Sequence, residues 1–158
     1  MPFRIKDLRM SGIRIISLLS TLLAAVSCSR SQGVPEPSLS AAIANGRLNV
    51  TVTVPDRHHA YLDGGREGNL IPVTFDWKAW TAGGLAEPKP AGQPEGVIDE
   101  ESGARILRGQ GVFAFELPAD AAETKKAGDA NFRVRVQICD EVKGICYRPT
   151  WHDVSPES

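Results

Sequence analysis

The stretch Arg47-Leu-Asn-Val-Thr-Val-Thr-Val54 alternates apolar and polar side chains over its whole length. Leucine and three valines occupy every second position, and asparagine and two threonines occupy the positions between them. Successive side chains of a β-strand point to opposite faces, so this alternation predicts a strand with one buried and one exposed face. The stretch therefore favours a fold built from sheets.

The same alternation recurs towards the carboxyl end of the chain. We expect further strands over Ile71–Trp77, Gly111–Leu117 and Phe132–Ile138, and a short one over His58–Leu62. Residues Thr81–Glu95 are rich in glycine and proline and are predicted to form a loop, whereas the only window that favours a helix is Ala119–Ala127. Several short strands separated by turns predict an all-β protein, an immunoglobulin-like antiparallel β-sandwich.

Composition limits the number of domains and the class of partner. The chain has 158 residues, of which 42% are hydrophobic, so it can hold one folded domain and is not a disordered polymer. Lys and Arg number 18 and Asp and Glu number 19, which leaves a formal net charge of -1. Because there is no excess of positive charge to bind phosphate backbones, a nucleic-acid partner is not expected.

The amino-terminal segment resembles a bacterial export signal. Four basic residues precede the apolar run Ile15–Val26, whose 12 residues fall short of the roughly 20 that a membrane-spanning helix needs. The small residues that lead to Cys28 resemble a lipobox, so we expect residues 1–27 to be a signal peptide and Cys28 to carry lipid. Cleavage nearby without lipid attachment remains an alternative. Either way, the domain is expected in the periplasm, and with lipid it would be anchored to the bacterial envelope.

A polar, proline-containing segment follows the predicted signal peptide. Such a composition is typical of a tether, so residues 28–44 are predicted to be the lipidated amino terminus and its linker. The folded domain is then expected over residues 45–155. The membrane contact would be made through the lipid alone.

Two cysteines remain once Cys28 is assigned to lipid, and they are spaced for a hairpin. Cys139 follows the last predicted strand, Gly144 supplies a turn residue and Cys146 can begin the returning strand. Opposed residues of an antiparallel pair have Cα atoms about 4.5 to 5.5 Å apart, within the range of about 4.4 to 6.8 Å that disulfides prefer. The hairpin can therefore bring the two sulfurs into bonding range.

The spacing alone leaves two roles open for such a bridge. As a structural staple it would close a loop of only eight residues, which contributes roughly 2.5 kcal/mol by chain entropy. As a redox pair it would lie at the margin of a sheet, where a partner thiolate can approach. The two candidate functions are therefore thiol–disulfide exchange and an extracytoplasmic binding lipoprotein with a purely structural disulfide.

Three segments resemble the amino-terminal periplasmic domains of the DsbD family of thiol:disulfide interchange proteins. Residues Val134–Pro149 are similar to the active-site hairpin of that family, and Cys146-Tyr147-Arg148-Pro149 is similar to its Cys-Tyr-Pro-Pro sequence. Asp56–Tyr61 resembles an Asp-Gly-Tyr-Tyr-Leu-Tyr segment, and Pro94–Val97 resembles the entry to the family's cap loop. The resemblance extends from about Arg47 to Trp151.

This resemblance implies a fold and a site. The fold would be immunoglobulin-like, and the cysteine pair would accept electrons from a thioredoxin-like domain and pass them to other periplasmic thiol proteins. Cys146 would be the sulfur that partners attack, and Cys139 would resolve the mixed disulfide. No cofactor is implied.

Other chemistry-bearing residues support weaker hypotheses. His58 and His59 are neighbours on a predicted strand and should point to opposite faces, so a shared metal ion is not expected. A serine-hydrolase sequence of the Gly-x-Ser-x-Gly type does not occur. The acidic run Asp99-Glu-Glu101 is either a solvated loop or, in a cap position, a group that disfavours thiolate in the cysteine pair.

Overall fold

A computed structural model of the chain describes residues 33–117 and 127–157. The predicted signal peptide and Cys28 lie outside these ranges, as does the predicted helix Ala119–Ala127 except for its last residue. Within the described ranges, we find no helix with the length and apolar character needed to cross a membrane.

Short strands make up nearly half of the described chain. The strands are β1 Ser38–Ala44, β2 Arg47–Thr53, β3 His58–Tyr61, β4 Thr74–Asp76, β5 Lys89–Gly92, β6 Val97–Ile98, β7 Arg105–Leu107, β8 Gln110–Glu116, β9 Phe132–Val136, β10 Cys139–Asp140, β11 Ile145–Cys146, β12 Thr150–Val154 and β13 Pro156–Glu157. A five-residue helix, α1, spans Lys78–Ala82. The all-β prediction is confirmed.

The strands form three hydrogen-bonded sheets. One has the order β13-β1-β2-β8-β5, the second β11-β10-β3-β7-β6 and the third β12-β9-β4. Neighbouring strands are antiparallel, as in an immunoglobulin-like sandwich, except that β1 and β13 pair in parallel. The second sheet carries both cysteines on its edge hairpin.

Aromatic side chains join the first sheet to the third. Phe75 of β4 packs edge-on against Phe113 and Phe115 of β8, with ring centroids 5.2 and 4.8 Å apart. Trp77 lies 4.9 Å from Phe115 and 4.8 Å from Phe132 of β9. Each such pair adds about 0.5 to 1.5 kcal/mol beyond simple burial, so this cluster holds the two layers together.

The strands with clear alternation match the predictions. Strands β2, β8 and β9 coincide with predicted strands to within two residues at each end, and β3 lies where the short strand was expected. Strand β4 covers only Thr74–Asp76 of the longer predicted stretch. The predicted loop Thr81–Glu95 was partly wrong, because it contains the end of α1 and all of β5.

Strand β5 shows why a residue pattern can miss a strand. All four of its residues are exposed, so it carries no alternation of apolar and polar positions. Among the described strands it pairs with β8 alone, which places it at the sheet edge, where Pro90 is tolerated.

Strands lie outside the predicted bounds of the folded domain at both ends. Strand β1 lies inside the predicted linker, yet all seven of its residues pair with β2, and Ala41 is buried. The turn between the two strands is Asn45-Gly46, with φ angles of 53° and 72°. Asn-Gly is the sequence that favours such tight hairpin turns, so a signal for β1 was present and was overlooked. At the other end, β13 extends past residue 155.

Candidate redox site

The site is built on the β10–β11 hairpin. Cys139 and Cys146 are directly opposed in the antiparallel register and are joined by a disulfide, with their Cα atoms 3.9 Å apart. The Tyr147 amide donates to the Ile138 carbonyl at 2.9 Å. The rung next to the cysteines, with Ile138 opposite Tyr147, is therefore a hydrogen-bonded one. The cysteines therefore occupy a non-hydrogen-bonded rung, where opposed side chains approach most closely.

The side chain of Asp140 organises the turn of this hairpin. Its Oδ1 accepts the backbone N–H groups of Val142 at 2.9 Å and Lys143 at 3.0 Å. The Gly144 amide donates to the Asp140 carbonyl at 2.9 Å, and Gly144 has a φ of 63° that favours glycine. Backbone amides that would otherwise lack partners are thus satisfied within the turn.

Hydrogen bonds within the turn, together with the Lys143 ammonium, keep Asp140 ionised. Its Oδ2 lies 3.3 Å from the Lys143 ammonium and 3.7 Å from His58 Nε2, and it accepts the Tyr147 hydroxyl at 3.4 Å. The Lys143 backbone N–H, helped by the Lys143 ammonium and the Val142 N–H, lowers the pKa of Asp140 from 3.8 to about 2 despite its burial. The turn therefore holds a fixed negative charge at ordinary pH.

The two cysteines differ in exposure. Cys139 is only 2% exposed, whereas Cys146 is an exposed residue on the edge strand β11. The Tyr61 hydroxyl donates a weak hydrogen bond to Cys146 Sγ at 3.9 Å. Burial, and secondarily the charges of Asp99 and Glu101, raise the pKa of Tyr61, so its hydroxyl remains a donor. The bridge is therefore accessible to solvent at its Cys146 end.

Strand β3 places a histidine beside the disulfide. His59 is the antiparallel partner of Cys139, so Cys146, Cys139 and His59 lie on one rung and point to the same face. The His59 ring packs edge-on against Tyr61, with centroids 5.1 Å apart. Its Nδ1–H donates to Glu141 Oε1 at 3.3 Å.

Glu141 links this histidine to an arginine. Arg108 Nε donates to Glu141 Oε1 at 2.5 Å, on the same oxygen that His59 contacts. The Arg108 guanidinium, with a smaller contribution from His59, holds the pKa of Glu141 below its ordinary value against the effect of burial. The Glu141 carboxylate is therefore ionised, and Arg108 holds it in position to accept the hydrogen bond from His59 Nδ1–H.

The disulfide opens into a cleft of about 740 Å³. One wall is the cap turn, residues 99–103, in which Asp99 Oδ2 accepts the backbone N–H and the hydroxyl of Ser102 at 2.9 and 2.5 Å. Arg66 reaches across to this turn and donates to the carbonyls of Glu100 and Glu101 at 3.1 and 3.4 Å. The backbone of this wall is therefore held by two charged side chains, Asp99 within the turn and Arg66 from outside it.

The predicted site residues fall into three groups. Cys139 and Cys146 are brought together, whereas Cys28 lies outside the described residues. His58 and His59 lie on opposite faces and contact different carboxylates, so they do not form a shared ligand pair. Among the described residues, no group of three or more His, Cys, Asp or Glu side chains is arranged to hold a metal ion.

Sequence reasoning missed the place of His59, Tyr61 and Glu141 around the disulfide. His59 lies 80 positions before Cys139 in the sequence, and only the pairing of β3 with β10 makes them neighbours. The resemblance of Asp56–Tyr61 to a DsbD-family segment was the available signal, but it did not assign a contact.

No protein-family model matches this chain, and no curated protein matches it. Among solved structures, the chain is similar to the crystal structure of the Neisseria meningitidis DsbD amino-terminal domain in the reduced form, with 20% identity and a TM-score of 0.46 over 77% of this chain and 86% of that one. It is also similar to a complex between the DsbD and PilB amino-terminal domains from Neisseria meningitidis, with 16% identity and a TM-score of 0.44 over 74% and 79% of the two chains.

Proposed function

We propose that this domain carries out thiol–disulfide exchange through the Cys139–Cys146 pair. The observation that carries the proposal is the position of the bridge, which joins adjacent strands of an edge hairpin and lines an open cleft. A bridge that cross-linked distant strands would constrain a far longer loop and stabilise the fold more. The observed position gives a partner thiolate access to the bridge and contributes less to the stability of the fold.

The difference in exposure supports separate roles for the two sulfurs. A partner thiolate attacks Cys146 Sγ, the bond to Cys139 breaks, and Cys139 leaves with the electron pair and takes up a proton. The partner's second thiolate then attacks the partner sulfur of the mixed disulfide and releases Cys146. The partner gains a disulfide and the domain gains two thiols; the reverse sequence passes both electrons on.

The partner and the cellular setting are part of the proposal. The DsbD-like hairpin sequence supports thioredoxin-like domains as electron donors or acceptors, together with other periplasmic thiol proteins. The lipobox-like sequence before Cys28 supports a domain anchored by lipid to the bacterial envelope. The exchange would then take place in the periplasm.

A reduction potential separates exchange from a structural role. The oxidised protein would be equilibrated with glutathione buffers of known ratio, and the reduced fraction would be measured by differential alkylation and mass spectrometry of the Cys139 and Cys146 peptides. Structural disulfides typically lie below about -300 mV, while exchange couples lie higher. We expect a potential above that limit, and a lower value would favour the structural alternative.

A trapping experiment tests the assignment of the two sulfurs. Cys139→Ser should accumulate a mixed disulfide between Cys146 and an envelope partner, because the domain no longer has its own second thiol to resolve it. The matched variant, Cys146→Ser, leaves only the buried cysteine of the pair and should trap at least about tenfold less. Equal trapping by both variants would contradict the assigned roles.

A further inference from the structure

His59 has a nitrogen atom that the fold leaves without a partner. The side chain is 15% exposed, Nδ1 is engaged by Glu141, and Nε2 is buried with no hydrogen-bond partner among the described residues. An unsatisfied buried polar atom costs about 1 to 3 kcal/mol, so such an atom in a cleft calls for a functional explanation.

Cys139, the leaving sulfur of the exchange, needs a proton when the disulfide opens. Cys139 is 2% exposed, and burial disfavours a thiolate relative to a thiol. When Cys146 is attacked, the electron pair of the broken bond would remain on this buried sulfur unless a nearby group neutralises it. His59 is the cross-strand neighbour of Cys139 on the same face of the sheet.

We propose that His59 is the proton-transfer residue of the Cys139–Cys146 pair, donating to Cys139 Sγ when the disulfide opens and accepting that proton when it closes. This inference rests on the proposed exchange function and deepens it. It also gives the unpartnered Nε2 a role, since Nδ1–H is held by the Glu141 carboxylate and Nε2 is the nitrogen free to exchange a proton.

The proton balance of the step is simple. Protonated His59 gives the Nε2 proton to the Cys139 thiolate as the partner sulfur bonds to Cys146, leaving a neutral imidazole and a thiol. The imidazole then regains a proton from water through the cleft. In the reverse direction, neutral His59 removes the proton from Cys139, and the resulting thiolate attacks Cys146 Sγ to expel the partner thiolate.

Glu141 is a positioning residue in this arrangement. It accepts the Nδ1 proton of His59 and is itself held by Arg108. A carboxylate at Nδ1 fixes the orientation of the ring and stabilises the imidazolium. Glu141→Gln should therefore weaken the pH effect of His59 without removing it.

Several charged and titratable groups surround His59. Asp99 faces it from the cap turn, and the charge of His59 contributes to the lowered pKa of Asp99, after the hydrogen bonds from Ser102. The titratable and charged groups that surround the ring are Tyr61 on β3, Cys139 and Glu141 on the hairpin, Cys146 on β11, Arg108 after β7 and Asp99 in the cap turn.

Reduction by dithiothreitol tests the inference. The rate constant would be measured on the full chain by quenching with an alkylating reagent, for wild type, His59→Gln and His58→Gln, from about pH 5 to about pH 9. His58 is the matched control, because it is the neighbouring histidine on the opposite face and contacts Asp140 instead. The ratio of the wild-type and variant rates cancels the ionisation of dithiothreitol itself.

We expect His59→Gln to slow reduction about 10²-fold near pH 6, the lower end of general acid catalysis, with the deficit disappearing by about pH 9 where histidine is neutral. His58→Gln should follow the wild-type profile. A His59→Gln profile parallel to wild type, or an equal deficit in His58→Gln, would overturn the inference. If wild type itself resists dithiothreitol over the whole range, the exchange function fails and not merely the role of His59.

A second measurement covers the case in which His59→Gln folds poorly. In Cys146→Ser, the Cys139 thiol is left without its disulfide partner and can be titrated by thiolate absorbance, with and without Glu141→Gln. We expect Glu141→Gln to raise the pKa of the Cys139 thiol, because the imidazolium beside it loses its carboxylate support. An unchanged titration would contradict the proposed coupling.

Discussion

At the tip of the hairpin, one carboxylate decides the shape of the backbone that carries the disulfide. Asp140 accepts two amides of the turn with one oxygen and contacts the Lys143 ammonium with the other. Ionisation of the carboxylate strengthens both sets of contacts. The hairpin geometry of Cys139 and Cys146 is therefore coupled to the charge of a neighbouring side chain.

Acidification should reveal this coupling. The pKa of Asp140 falls from 3.8 to about 2 on folding, so its contribution to stability is complete above the ordinary value and is lost as pH falls through about 2. We expect Asp140→Asn to lower stability at neutral pH and to lose less stability than wild type between about pH 5 and about pH 2. Urea unfolding across that range measures both effects.

A matched control is Glu95→Gln, since Glu95 is exposed in the loop before β6. It should track wild type at every pH. An Asp140→Asn variant that loses stability in parallel with wild type on acidification would show that the carboxylate does not act as described.

At the scale of elements, the β10–β11 hairpin depends on a glycine at its last turn position. Gly144 has a φ of 63°, and its amide closes the turn onto the Asp140 carbonyl. A Cβ atom there would meet no other atom within 4 Å, so the effect of a substitution is confined to the backbone conformation. A substitution of Gly144 therefore tests only the free-energy cost of the left-handed backbone conformation.

We expect Gly144→Ala to destabilise the folded protein by about 1 to 2 kcal/mol, because an L-residue is strained in the left-handed region. Urea denaturation of the oxidised protein measures the change. Gly92→Ala is the control, since Gly92 lies in the edge strand β5 and its added Cβ would make an ordinary 3.7 Å contact with Ala114. A Gly144→Ala cost no larger than that of Gly92→Ala would contradict the assigned strain.

At the scale of the whole molecule, the site is carried by a sandwich whose core contains an aromatic cluster. Phe132 is fully buried and contacts both Trp77 and Trp80, with ring centroids 4.8 and 6.2 Å away. Strand β9, which begins at Phe132, runs directly towards the hairpin that begins at Cys139. Packing in the core therefore fixes where the redox hairpin starts.

Phe132→Ala should destabilise the domain by about 3 to 5 kcal/mol, because it removes a fully buried ring and leaves a cavity. Thermal and urea unfolding measure the loss. Val112→Ala is the control, because Val112 is 44% exposed on β8 and such substitutions stay within about 0.5 kcal/mol. Similar losses from both variants would mean that the aromatic cluster does not carry the stability assigned to it.

Short-range patterns determined the strands that are buried on one face. The alternation of Arg47–Val54 and of Phe132–Ile138 reports burial directly, because every second side chain must enter the core. Strand β5 escaped prediction because its exposed residues carry no such alternation. Strand β1 was overlooked although Asn45-Gly46 marks its turn.

For the site, the sequence by itself determined the pair of cysteines, since their spacing permits a hairpin bridge within one short segment. Only the tertiary structure decided that Cys139 is buried while Cys146 is exposed, and that His59 lies on the rung beside them. The physical reason is that exposure and cross-strand pairing depend on how sheets assemble. Residues 80 positions apart become neighbours only when β3 joins β10.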